Sequence, residues 1–142
     1  MFAPDARVLL AAVLLASAVT AHAADYKIDD THSFVQFRTK HLGYSWLYGR
    51  FNINGGHFSY DPAKPESSKI TVDIDVASID SNHELRDEHL RNKYLFTDKQ
   101  PKASFTSTAY QGDANSGTLT GELQLNGVKK PVTIPVKKIG EG

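Results

Sequence analysis

A chain of 142 residues, 40% of them hydrophobic, suits a single folded domain and leaves no room for two of ordinary size. Lys and Arg number 16 and Asp and Glu 16, so there is no overall basic excess of the kind that binds nucleic acid or an anionic membrane surface. With no cysteine, a disulfide framework, a thiol nucleophile, a cysteine zinc site and a lipidated cysteine tether are all excluded.

The chain opens with Arg7, an apolar run at 8–19 and the small-x-small site Ala21-His22-Ala23, which together read as a secretory signal peptide over residues 1–23. The run is shorter than the roughly 20 residues a spanning helix needs, and no second one follows, so no stable membrane anchor is expected. The domain proper is then 24–142. At 33–39, Val35 and Phe37 alternate with Gln36 and Arg38, a strand with one apolar face, although Phe34 breaks the pattern. The aromatic stretch 41–49, bounded by glycines, fits a short helical turn or an ordered loop. A second strand at 50–60 carries Phe51, Ile53, Phe58 and Tyr60, and Gly55-Gly56 marks a bulge that bends it. Asp61-Pro62 and Pro65 turn the chain. Residues 69–76 are the clearest strand, since Ile70, Val72, Ile74 and Val76 alternate with polar neighbours. One helix follows, capped by Ser81 or Asn82 and running to Arg91, with Asp87 and Arg91 one turn apart. Further strands at 103–110 and 118–125, the latter with Leu119, Leu123 and Leu125 in phase, lead to Asn126-Gly127. That pair favours a type I′ hairpin turn, and Val132, Ile134 and Val136 supply the return strand, with Pro131 and Pro135 marking a sheet edge. Short strands with one helix and no strand-helix-strand rhythm predict an all-β, antiparallel sheet closed or nearly closed on itself.

Chemistry is sparse. His83 and His89 flank two glutamates on the helix but stand six residues apart, which points them about 240° from each other and not at one metal ion. His32, His41 and His57 complete the histidines beyond the leader, and there is no G-x-S-x-G nucleophile motif. The apolar strand residues fit a filled core as well as a ligand cavity.

Thr31-His32-Ser33, Val35-x-Phe37, His41-Leu42-Gly43-Tyr44-Ser45, Gly49-Arg50-Phe51, Ser78-Ile79-Asp80-Ser81-Asn82, Arg86-Asp87-x-His89-Leu90, Phe105-Thr106-Ser107 and Gly121-x-Leu123-x-Leu125-Asn126-Gly127-Val128 together resemble the YceI-like polyisoprenoid-binding family. The resemblance implies an extended, eight-stranded lipocalin-like antiparallel barrel with one short helix. Its apolar interior would bind or transport a polyisoprenoid or other long-chain lipid in the periplasm, without catalysis, cofactor or metal, as a possible homodimer. It places Val35, Phe37, Phe51, Phe58, Ile70, Val72, Ile74, Phe105 and Leu123 on the cavity wall. His41, Asn82, Arg86, Asp87 and His89 fall on polar motifs near one end, where they grip a head group or anchor the helix. Asn54, where relatives carry an aromatic residue, and Asn92-Lys93-Tyr94 depart from the family pattern. The strands that close the barrel in relatives are expected to be missing here, which makes the chain read as a C-terminally truncated fragment. A stress-related structural module with a filled core is the alternative, and a histidine-dependent metalloenzyme a further one.

Overall fold

The computed structural model describes residues 23–141, so the signal-peptide reading of 1–23 falls almost wholly outside the described residues. Seven strands form one antiparallel sheet: β1 (Ala24–Lys27), β2 (Phe34–His41), β3 (Ser45–Tyr60), β4 (Lys69–Asp80), β5 (Lys102–Gly112), β6 (Ser116–Leu125) and β7 (Val128–Lys137). Their order is β1-β3-β4-β5-β6-β7, with β2 also on β3. The 16 residues of β3 serve two neighbours along one edge, since its first half pairs with β2 and its last four residues pair with β1, while its other edge pairs with β4. Among the described residues β7 has no partner beyond β6, so the sheet is open and not a closed barrel.

Alternation explains most of this. On β4 the apolar residues share one face, and Ile74 and Val76 are buried there with Ala103 of β5. Val35, Phe51, Val72, Leu95 and Leu125 pack around those three, which makes one end of the sheet a filled core. The bulge expected at Gly55-Gly56 is present as a register shift between Ile53 and Gly55 against β4. The Asn126-Gly127 turn is present too, both residues having the positive φ that a type I′ turn needs, 51° and 73°.

Four local readings change. Residues 41–49 are neither helix nor loop but the tip of the β2–β3 hairpin, in which His41 pairs with Ser45. The period-two signal was hidden there because the aromatic residues Trp46 and Tyr48 lie on the exposed face of the strand. Strand β1, four residues long, was not anticipated. Helix α1 (Glu84–His89) starts later than expected, with His83 as its cap: the imidazole Nδ1 accepts from the Arg86 N–H at 3.3 Å. Neither Ser81 nor Asn82 caps, because Ser81 is buried and turned toward Asp87, while Asn82 sits at φ 64° with its N–H donating to Asp80 Oδ1. A π-helical turn, Leu90–Tyr94, continues α1, closed by Leu95 N–H donating to the Leu90 carbonyl at 2.9 Å. The expected Asp87–Arg91 pair is absent, since Arg91 bridges to Glu84 at 2.9 Å and Asp87 points inward.

Candidate functional site

The sheet curls at the end away from α1, bringing the ends of β1 and β3 toward the β5–β6 hairpin. Tyr60 closes that approach with a hydroxyl that donates to the Ala114 carbonyl at 2.8 Å. Between them lies a mostly apolar groove of about 630 Å³. Tyr26 and Phe58 stack along one wall, 4.7 Å between ring centroids and 11° from parallel. Ile70, Tyr110, Leu119 and Val136 complete the apolar lining, and Lys69, Lys137 and Lys138 sit on the rim. Lys138 lies 5.0 Å from the Tyr60 ring centroid and pairs with Glu141, whose hydrogen bond holds the ammonium pKa above its ordinary value. Desolvation at this end raises the Tyr110 phenol. Among the described residues, Ser68 Oγ is the one buried side-chain polar atom without a hydrogen-bond partner, and Ser68 is also on the groove lining.

Of the nine residues expected on a cavity wall, Phe58 and Ile70 line this groove. Ile74 belongs to the buried cluster at the other end, with Val35, Phe51 and Val72 packed on it. Phe37 lies 5.3 Å from the Phe51 ring and covers Gly49, its cross-strand partner, where a Cβ has no room. Phe105 is buried over Gly121, and Leu123, opposite it, is half-buried. The residues that sequence reasoning missed as lining are Tyr26, Tyr60, Tyr110, Leu119 and Val136. A signal existed for Leu119, Val136 and Tyr60, which stand in phase on their strands, and none for Tyr26 and Tyr110.

The polar set divides. Asp87 Oδ1 accepts from Ser81 N–H at 3.0 Å and from Ser81 Oγ at 2.5 Å, and Arg86 donates to the same serine, Nε to Oγ at 2.7 Å and the terminal nitrogen to its carbonyl at 2.5 Å. Arg86 and Asp87 thereby tie α1 to the residue that follows β4. Asn82 lies on a small polar cleft of about 180 Å³ with Arg50 and Asp80, which are 3.5 Å apart. His89 is exposed at the end of α1, and His41 is at the hairpin tip. That tip lies five residues along β3 from Arg50, about 17 Å away, so His41 does not join the others. Among the described residues no three histidine or carboxylate side chains converge as a metal ion would require.

His32 has its own partner in the β1–β2 connection. The Asp29 carboxylate accepts from Thr31 Oγ1 at 2.6 Å, Thr31 N–H at 2.9 Å and His32 Nδ1 at 2.8 Å. These bonds, Thr31's hydroxyl first, lower the Asp29 pKa from 3.8 to about 2. A depressed carboxylate pKa stabilises the turn above the ordinary value and loses that contribution as pH falls through the folded one. A carboxyl-carbon NMR titration should therefore place the Asp29 midpoint at about 2, and Thr31→Val should move it back toward 3.8. A wild-type midpoint near 3.8 would contradict the geometry.

An open antiparallel sheet with a filled core at one end and an apolar groove at the other defines a small antiparallel β domain with one candidate binding groove. The chain belongs to the YceI-like domain family, whose model matches residues 26–142. A UPF0312 protein of Pseudomonas aeruginosa (strain LESB58) is 51% identical over 140 residues, which cover 94% of this chain and 73% of that protein. Among solved structures, Burkholderia cenocepacia BcnA superposes with a TM-score of 0.71 at 27% identity, over 81% of this chain and 73% of its own. A polyisoprenoid-binding domain from Saccharophagus degradans, implicated in plant cell wall breakdown, shares the fold with a TM-score of 0.58 at 19% identity, over 80% and 66%.

Proposed function

We propose that this chain binds the hydrocarbon tail of a polyisoprenoid or similar long-chain amphiphile in the groove, carries it in the periplasm after export, and performs no catalysis. The observation that carries the reading is the groove itself: its volume of about 630 Å³ lies in the range of small-molecule sites, and rings and aliphatic chains dominate its walls. Family membership and the polyisoprenoid-binding domain that shares this fold supply the chemical class of the guest. Export rests on the charged, apolar and small-residue order of 1–23. Phe58 and Ile70 contact the tail directly, and Val35, Phe37, Phe51, Val72, Ile74, Phe105 and Leu123 pack the sheet beyond the groove and hold its shape. Ser68 Oγ is left for a polar atom of the guest. The homodimer belongs to the same reading; sedimentation as a monomer at every concentration would remove that part.

Burial of about ten methylenes contributes roughly 8 kcal/mol before ordering costs, against about 1 kcal/mol for a neutral hydrogen bond. Affinity should therefore follow tail length, rising about four-fold per methylene across a series of straight-chain alcohols that displace an apolar fluorescent probe. Val136→Asp puts a carboxylate on the groove wall at a half-exposed position and should weaken probe binding about ten-fold or more. Binding that does not saturate, or is indifferent to tail length, would defeat this function. A structural module with a filled core is the second reading, favoured by the packing of Val35, Phe51 and Val72 on the Ile74 cluster. Absence of any saturable probe site would select it.

A further inference from the structure

The tip of the β2–β3 hairpin presents apolar surface to water without a local reason. Leu42 is 71% exposed and Tyr44 80% exposed, and no part of the described chain covers them. Leu42 also has φ 52°, a left-handed conformation that a bulky residue rarely adopts, in a turn where Tyr44 N–H donates to the His41 carbonyl at 3.3 Å. Leucine at such a position contributes little burial to the fold, since most of its surface faces solvent.

Behind the tip, one face of the hairpin alternates cations with aromatic rings. Arg38 pairs with Tyr48 and Lys40 with Trp46, so these four side chains share the face. The Arg38 guanidinium lies 4.4 Å and the Lys40 ammonium 5.7 Å from the Trp46 ring centroid. Neither cation has a carboxylate within ion-pair distance among the described residues, whereas Arg50 is matched by Asp80. Residues 31–60 contain no Asp or Glu at all. The even overall balance of charge thus conceals a basic hairpin, with the acidic residues elsewhere.

From these observations we infer that the β2–β3 hairpin docks on the surface of an anionic lipid bilayer. The order of its residues from the tip matches the layers of such a surface. Leu42 and Tyr44 enter the boundary of the acyl region, the Trp46 and Tyr48 rings lie at the headgroup level that aromatic side chains favour, and Arg38 and Lys40 meet lipid phosphates. Complementary charge selects the lipid surface, and the exposed tip supplies the apolar contact that holds it there. The contact is one of attachment, separate from the groove: a chain whose groove stayed empty would still dock, and one that failed to dock would still hold a guest.

Trp46 is the chain's only tryptophan and reports its own surroundings. The full chain is titrated with vesicles of one part phosphatidylglycerol to three parts phosphatidylcholine, and with phosphatidylcholine alone, at low and high salt. Docking predicts a blue shift of Trp46 emission and its quenching by brominated lipid with the anionic vesicles, both weakened by salt. Replacing Arg38 and Lys40 together by Gln should weaken the partition roughly thirty-fold, from about one basic-residue contribution each. Replacing Leu42 and Tyr44 together by Ser, away from the sheet's core, should weaken it about ten-fold or more. Three results would overturn the inference: an unshifted Trp46 with anionic vesicles, equal shifts with both vesicle types, or a shift that grows with protein concentration without lipid, which would mean that a second copy covers the patch. If a double variant folds poorly by circular dichroism, quenching of wild-type Trp46 by brominated lipid decides alone.

Discussion

Asp87→Ala should destabilise the domain by about 3 kcal/mol, measured as a shift of the urea midpoint at unchanged slope. The carboxylate is 5% exposed and Ser81 only 3%, so water replaces neither partner when the acceptor goes. Ser81 loses the acceptor for both its N–H and its hydroxyl, and the hydroxyl and carbonyl to which Arg86 donates are no longer held in place from the other side. Asp87→Asn retains one oxygen acceptor of the same shape, so about half the loss is expected. The pair of variants separates hydrogen bonding from charge. A change under about 0.5 kcal/mol for alanine, the scale of an ordinary surface substitution, would show that the Ser81 bridge does not fasten α1 to the sheet.

Gly56→Ala is the second large effect, again about 3 kcal/mol. At φ 154° the backbone lies where L side chains are rare, and a Cβ there would come within 2.8 Å of Ile28 Cδ1, 3.1 Å of Val72 Cα and closer still to the Thr71 carbonyl oxygen. Two of those three atoms are backbone of β4, which cannot step aside without breaking the ladder. Gly55 provides the control: its φ is 129° but nothing lies within 4 Å of the added carbon. Gly55→Ala should therefore show only backbone strain, on the order of 1 kcal/mol. Equal losses from the two substitutions, in parallel urea melts, would mean that close packing at the bend is not what demands glycine. Because Phe58 lies two residues on, Gly56→Ala should also weaken probe binding in the groove.

Strands β4 to β6 were legible because water lies on one side of them and the core on the other, and that asymmetry writes itself as a period of two, whereas β7, almost wholly exposed, was legible from the Asn126-Gly127 turn that precedes it. The β2–β3 tip was illegible for the same reason reversed: with Leu42, Tyr44, Trp46 and Tyr48 all exposed, polarity no longer reports which face is inside. The helix start was misread because Ser81 has the chemistry of a cap, and only the fold reveals that its hydroxyl is already engaged by Asp87. Family motifs grouped Arg86 and Asp87 among the polar residues near one end, yet could not say that both converge on a single serine. As for the groove, Tyr26, Tyr60 and Tyr110 come from three strands remote in sequence, and the curl of the sheet, not any local pattern, brings their rings to one hollow.

The π-helical turn at Leu90–Tyr94 spends one residue more than regular α winding would on nearly the same rotation. Leu95, directly after it, reaches the Ile74–Val76–Ala103 cluster. Removing a single residue there would let the turn relax to even winding with the downstream phase kept, so Leu95 would still face that cluster. The widened turn is in effect slack in the backbone, a place where the domain tolerates a change in the number of its residues.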